Sequence, residues 1–289
     1  MICRLLALDV DGTLVGPDNH VTPELAAALA DAEQTGVAVC LATGRSHMET
    51  VAVWRQLPLT APHQPMVTVG GALVVDPADA RTLWQRPLDR ELAWEFADAV
   101  SELGYTVMAL VDPWQHGVDY YLSEGADIDF VERNLLSRMD FRVRRLPDLR
   151  DAGEAMPRPV RISALVQPGD AEMLSARLTE RFGQRMHLHP ILAPNYGVTI
   201  VEAFAPDANK WTGLGYVAKQ LDIGPEQVVA VGDDINDAPM LRGAGLGVAM
   251  PDATDAARGA ADIVADAGLA AFIQGLLDGR FDGVRTGQG

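Results

Sequence analysis

Four clusters of polar residues interrupt apolar runs in a pattern that could do chemistry. Asp9 and Asp11 stand i, i+2 after Leu5–Leu8 and are followed by Gly12-Thr13. Thr43-Gly44-Arg45 follows a second apolar run, Val37–Leu41. Lys210 opens an amphipathic segment, and Gly232-Asp233-Asp234-Ile235-Asn236-Asp237 follows the run Val228–Val231. Asp9 and Asp11 project to the same side if the strand persists through Val10. Carboxylates that close repel unless a cation or a shared proton intervenes. Asp9, Asp11, Asp233 and Asp237 make an all-oxygen set, the donor type that suits Mg2+. No Cys/His set is spaced for zinc, and the six histidines are dispersed.

Such a set suits phosphoryl transfer. Asp9 could attack phosphorus in line, while Asp11 protonates the departing oxygen and later activates water. Thr43 and Lys210 would hold phosphoryl oxygens from two sides. Gly44, Arg45 and Asn236 complete the candidate substrate-binding residues. Asn236 and Asp237 either finish the metal shell or hold Lys210. Plainer roles exist for each group. Asp-Gly commonly ends a strand, Thr43 can cap the next helix, and Arg45 reads as a structural or cap-facing arginine more readily than as a catalytic one. Lys210 at a helix start is electrostatically unfavourable without a nearby anion.

These residues need one sheet edge to bring them together. Runs apolar on both faces belong in a parallel sheet covered by helices, and such sheets bind ligands at the C-terminal ends of their strands. The pattern predicts strands at 5–8, 37–41, 66–69, 72–75, 82–84, 198–203, 228–231, 247–250 and 263–264. Helices are predicted at 23–34, 46–57, 210–221, 236–242, from 253, and at 269–277. The strand-tip pattern lapses from Pro87 to about Pro190. There, helices at 89–103, 127–138 and 169–182 alternate with strands at 105–110, 118–122, 141–145, 160–166 and 185–189. Val160, Ile162, Ala164 and Val166 alternate as in a half-exposed strand, which suggests a sheet open on one face. The expected fold class is therefore α/β: a Rossmann-like, three-layer core with a parallel sheet, plus an inserted α/β cap domain. The expected limits are core 1–86, cap 87–190, core again 191–280, and a flexible tail 281–289.

The formal net charge is -17, from 40 acidic and 23 basic side chains, which disfavours nucleic acid and anionic membranes as partners. A small anionic substrate stays compatible, because a bound cation inverts the charge locally. Lys210 and Lys219 are the two lysines. Cys3 and Cys40 read as small buried apolar residues rather than a disulfide framework. No signal-peptide pattern or bilayer-length apolar stretch is present, so a soluble, cytoplasmic protein, monomer or homodimer, is expected.

The constellation resembles the haloacid dehalogenase-like hydrolases, and within them the Cof-type phosphatases, over essentially the whole chain. Asp9-Val10-Asp11-Gly12-Thr13-Leu14 matches that family's first motif, Thr43-Gly44-Arg45 its second, Lys210 its third, and Gly232–Asp237 its fourth. Gly247–Met250 and Ala261–Val264 look like its closing segments. The resemblance implies Asp9 as nucleophile, Asp11 as acid/base, and Mg2+ held by the Asp9 carboxylate and the Asp11 main-chain carbonyl. It further implies a cap that closes over the strand tips and selects a small phosphorylated metabolite, such as a sugar phosphate. The expected activity is Mg2+-dependent phosphomonoester hydrolysis through an aspartyl phosphate. A phosphomutase or a non-catalytic phosphate sensor are the alternatives. There are departures. Gly70-Gly71 stands where relatives carry Asn-Gly, Lys210-Trp211 replaces Lys-Gly, and Pro251 replaces a common Asn. In the cap, Asp119, Tyr120, Tyr121, His187 and Asn195 are either substrate contacts or packing.

Overall fold

In the computed structural model, residues 3–60, 64–138, 140–193 and 198–281 are described. The elements run in order β1 (Leu5–Leu8), α1 (Pro23–Gln34), β2 (Ala38–Leu41), α2 (His47–Trp54), β3 (Met66–Thr68), β4 (Leu73–Val75) and β5 (Thr82–Gln85). There follow α3 (Arg90–Ser101), β6 (Val107–Leu110), α4 (Pro113–His116), β7 (Tyr120–Ser123), α5 (Ile128–Asn134), β8 (Val143–Leu146), β9 (Arg161–Val166), α6 (Pro168–Phe182), β10 (His187–Ala193) and β11 (Val198–Phe204). The last stretch holds α7 (Lys210–Gln220), β12 (Val228–Gly232), α8 (Ala238–Gly243), β13 (Leu246–Ala249), α9 (Asp255–Arg258), β14 (Ile263–Val264) and α10 (Leu269–Leu277). The chain forms two compact units, Met1–Trp84 with Asn209–Gly289, and Gln85–Ala208.

The first unit is built on a parallel sheet in the order β14-β13-β12-β1-β2. β1 lies between β12 and β2, with Leu8 level with Val231 on one side and Leu41 on the other. All four β1 residues are buried, as a doubly covered strand requires. Leu5 and Ala7 join Leu214 and Val217 of α7 and Met240 and Leu241 of α8 in one core. Leu6 and Leu8, also buried, alternate to the other face of the strand, and α1 packs on α10. Local chemistry starts the helices. Thr22 caps α1, whose first residue is Pro23. At α2 the Glu49 carboxylate accepts from the main-chain N–H and hydroxyl of Ser46, at 2.8 and 2.6 Å. Ser46 and not Thr43 therefore begins that helix.

The second unit is a six-stranded sheet in the order β10-β11-β9-β6-β7-β8, antiparallel except for β7 beside β8. Helices α3 and α6 cover one face, with the Phe96 and Phe182 rings 5.5 Å apart at the centre.

Three expectations need correction. The run Val198–Phe204 does not rejoin the parallel sheet; it pairs antiparallel with β9 and β10, so the second unit extends to Ala208 rather than Pro190. Strand β9 is buried throughout instead of half-exposed. Its alternate face carries Arg161, whose charge is met there by Glu202. Finally, the predicted helix at 127–138 ends at Asn134 and gives way to a short 3-10 turn, Leu136–Arg138. The expected tail, from 282 onward, and Asn195 lie outside the described residues, whereas the Phe281 ring packs on Phe272. Among the described residues, no helix is long and apolar enough to cross a membrane.

Candidate active site

The tip of β1 delivers Asp9, whose main-chain N–H bonds Val231 O on β12. The tip of β12 delivers Asp233 and, through a 3-10 turn, Asp237. The first residue of α7 is Lys210, with Asn209 as the cap that accepts from Thr212 N at 3.1 Å. Gly71 lets α7 start here. Its φ is +99°, and a Cβ would stand 1.9 Å from Asn209 O. The second glycine of Gly70-Gly71 is thus fixed by backbone crowding. Trp211 turns away from the site and packs against Gly243, where a Cβ would lie 2.3 Å from its ring.

Lys210 is the centre of the charge arrangement. Its Nζ donates to Asp9 Oδ1 at 2.5 Å and to Asp237 Oδ1 at 2.6 Å, with all three side chains buried. Asp237 Oδ2 accepts the main-chain N–H groups of Asp233 and Asp234, each at 3.0 Å. Asp237 therefore holds Lys210 and the loop together, and Gly232 makes room for it, since a Cβ there would meet its side chain at 2.5 Å. Asp233 accepts from the Thr13 hydroxyl at 3.2 Å. Gly12, at φ +76°, lets Asp233 approach to where a Cβ would be only 2.2 Å from Oδ2.

Burial first, and then the charge of Asp237, push the Asp9 pKa well above the usual carboxylate range; Lys210 opposes the shift. The same two causes raise Asp233 to about 6. Burial works against the Lys210 charge, but Asp237 and Asp9 outweigh it and hold its pKa above the usual lysine value. The cluster thus carries more negative charge than one lysine offsets. Asp9, Asp233 and Asp237 each offer an oxygen within 4.8 Å of the others, a group able to hold a metal ion.

Thr43 sits on the neighbouring strand tip, fully buried, and its hydroxyl accepts from Arg45 N at 3.1 Å. Asn236 lies near Gly44, its Nδ2 4.0 Å from where a Cβ would stand, and its Oδ1 is buried with no hydrogen-bond partner. Asp11 departs from expectation. Its side chain is 62% exposed and bound by Arg45, so its carboxylate is not part of the metal-holding cluster. The strand stops at Leu8, and Leu14 and Val15 both bond back to Val10 O, so the alternation that would align Asp11 with Asp9 is broken. Thr13 and Gly71 were given no role from sequence alone. The Asp-Gly-Thr spacing was the available signal for Thr13, and for Gly71 it was the alignment of Gly70-Gly71 with the family's Asn-Gly.

A parallel sheet with a lysine-bridged carboxylate cluster at its strand tips defines a hydrolase of the haloacid dehalogenase-like class. The chain belongs to that family: the sequence profile of the haloacid dehalogenase-like hydrolases matches residues 6–268. It is 25% identical over 279 residues to the phosphatase YwpJ of Bacillus subtilis, covering 90% of this chain and 94% of the relative. It is 28% identical over 283 residues to a phosphoglycolate phosphatase of Methanopyrus kandleri, covering 95% and 97%. Among solved structures, a haloacid dehalogenase-like hydrolase from Bacteroides thetaiotaomicron aligns with TM-score 0.72 and 19% identity, over 95% of this chain and 99% of that one. The subclass IIB sugar phosphatase BT4131 aligns at 0.71 and 18%, over 94% and 98%.

Proposed function

We propose that the chain is a Mg2+-dependent phosphatase that cleaves a small phosphomonoester through an aspartyl phosphate on Asp9. The observation that carries this is the buried Asp9 carboxylate at the tip of β1, held by Lys210 at 2.5 Å and set beside Asp233 and Asp237, an arrangement that would orient it for attack on phosphorus. The donors fit Mg2+, being hard carboxylate oxygens that are under-compensated by Lys210 alone. Asp9, Asp233 and the Asp11 carbonyl would hold it, with Asp237 committed to Lys210. Bound there, Mg2+ supplies positive charge that offsets the repulsion between carboxylate and phosphate.

The chain's own residues do the rest. Lys210 orients Asp9 and balances charge on the phosphoryl oxygens. Thr43, through its hydroxyl proton, and Asn236, through its side-chain NH2, are the donors that flank the phosphoryl group. The bond from Asp9 to phosphorus forms as the ester oxygen leaves with a proton from Asp11. Water deprotonated by Asp11 then attacks phosphorus, releasing phosphate and restoring Asp9. The relatives' names support a small phosphorylated metabolite, of which sugar phosphates are one class.

Phosphate release from sugar phosphates, phosphoglycolate, nucleotides, pyridoxal phosphate and p-nitrophenyl phosphate, with and without Mg2+, tests this. Turnover should require Mg2+ and disappear in Asp9→Asn, which keeps its fold. Silence across the panel from a folded, Mg2+-loaded protein overturns the proposal, as does phosphoryl return to the sugar instead of to water.

A further inference from the structure

Arg45 was a candidate for gripping substrate, yet the chain itself already occupies it. Its Nε donates to Asp11 Oδ2 at 2.8 Å, and Nη2 donates to Asp11 Oδ1. The second Nη2 proton reaches Asn19 Oδ1 at 2.6 Å, and Nη1 reaches Glu49 O at 3.3 Å. Four of the five N–H donors are therefore spent within the chain. Little donor capacity is left for a phosphate.

We infer that Arg45 is the positioning residue for Asp11, fixing the orientation of the acid/base carboxylate; this rests on the phosphatase reading above. Two parallel N–H donors facing two carboxylate oxygens restrain rotation in a way that a single ammonium does not. Asp11 needs such restraint, because its side chain is 62% exposed whereas that of Arg45 is 19% exposed. A half-exposed pair of this kind adds only about 0–1 kcal/mol of stability, so its effect lies in orientation. The clamp is itself anchored. Asn19 holds a left-handed backbone at φ 56°. Its carbonyl accepts from Gln56 Nε2 at 2.9 Å, and Gln56 Oε1 accepts from Val21 N at 3.0 Å. The loop between Asp11 and Val21 is thereby stitched to α2 and its C-terminal end. Arg45 is also tied through its own N–H to Thr43.

The test compares wild type, Arg45→Lys and Arg45→Gln on two esters at saturating Mg2+. One is p-nitrophenyl phosphate, whose leaving group needs no proton. The other is the best alkyl phosphate that the wild type turns over. General acid catalysis contributes roughly 10²–10⁴-fold. Both variants should lose about 100-fold in kcat/KM on the alkyl ester and under about tenfold on p-nitrophenyl phosphate. Inhibition by inorganic phosphate and the melting temperature should stay at wild-type values. Weakened phosphate inhibition with kcat intact would make Arg45 a phosphate ligand and overturn the inference. Equal losses on the two esters, or no loss, would overturn it as well. If wild-type turnover is absent, or survives Asp9→Asn, the phosphatase reading fails and the role of Arg45 falls with it.

Discussion

Asp233 sits where metal and protein chemistry meet. Its pKa of about 6, against an ordinary value of 3.8, means that the fold favours its neutral form. The stability it contributes is fully present below pH 3.8 and is lost as pH rises through about 6. Asp9 is shifted in the same direction. A divalent cation reverses that loss, because it favours the ionised carboxylates. The difference in melting temperature between Mg2+ and EDTA should therefore be small at pH 5 and large at pH 8. Asp233→Asn should melt above wild type in EDTA at pH 8 and gain little from Mg2+. A Mg2+ effect of equal size at both pH values would contradict this. At this scale the sequence was informative for the groups that meet: Asp9, Asp233 and Asp237 after their strands and Lys210 at a helix start come together. Asp11 was misread because alternation was carried two residues beyond the end of β1. For Arg45 the structural role was readable but its partner was not, because nothing local to it points to Asp11 after another strand.

Among the elements, β9 and β11 carry the least expected feature, a buried ion pair between Arg161 and Glu202, with Nη1 2.5 Å from Oε1. Tyr120 O–H accepts from Arg161 Nη2 at 2.8 Å, so the guanidinium is held from two sides. Removing one member of a buried pair typically costs about 3–5 kcal/mol, while replacing both by apolar residues can be neutral or stabilising. Glu202→Ala should thus destabilise the six-stranded unit by about that amount. The double variant Arg161→Met/Glu202→Leu should recover most of it in a denaturant titration. Additive losses would argue against a coupled pair. The pair also explains why β11 was assigned to the wrong sheet. A short apolar run cannot declare whether its neighbours are parallel or antiparallel, and the partner that identifies it, Ser163 opposite Glu202, lies on a strand with no sequence mark of pairing. By contrast, a helix start such as Thr22-Pro23 rests on local capping and was readable.

For the whole molecule, each unit has its own apolar core, and chains of this kind commonly unfold in more than one step. A cation bound at the tips of β1 and β12 stabilises the unit that carries them by mass action. Calorimetry should resolve two transitions, of which Mg2+ raises only one, and Asp233→Asn should abolish that shift. A single transition, or equal shifts in both, would show that the cores melt together. The place of β1 in its sheet bears on how the protein is made. The Asp9–Lys210 contact spans 201 positions, and β12, the neighbour on one side of β1, begins only at Val228. At roughly 5–20 residues per second, β1 and β2 leave the ribosome on the order of 10–40 s before β12 can pair. Throughout that interval a fully apolar strand has an open edge, which invites wrong pairing. Until the last fifth of the chain begins to be translated, that edge is the nascent chain's point of exposure to misfolding or chaperone capture.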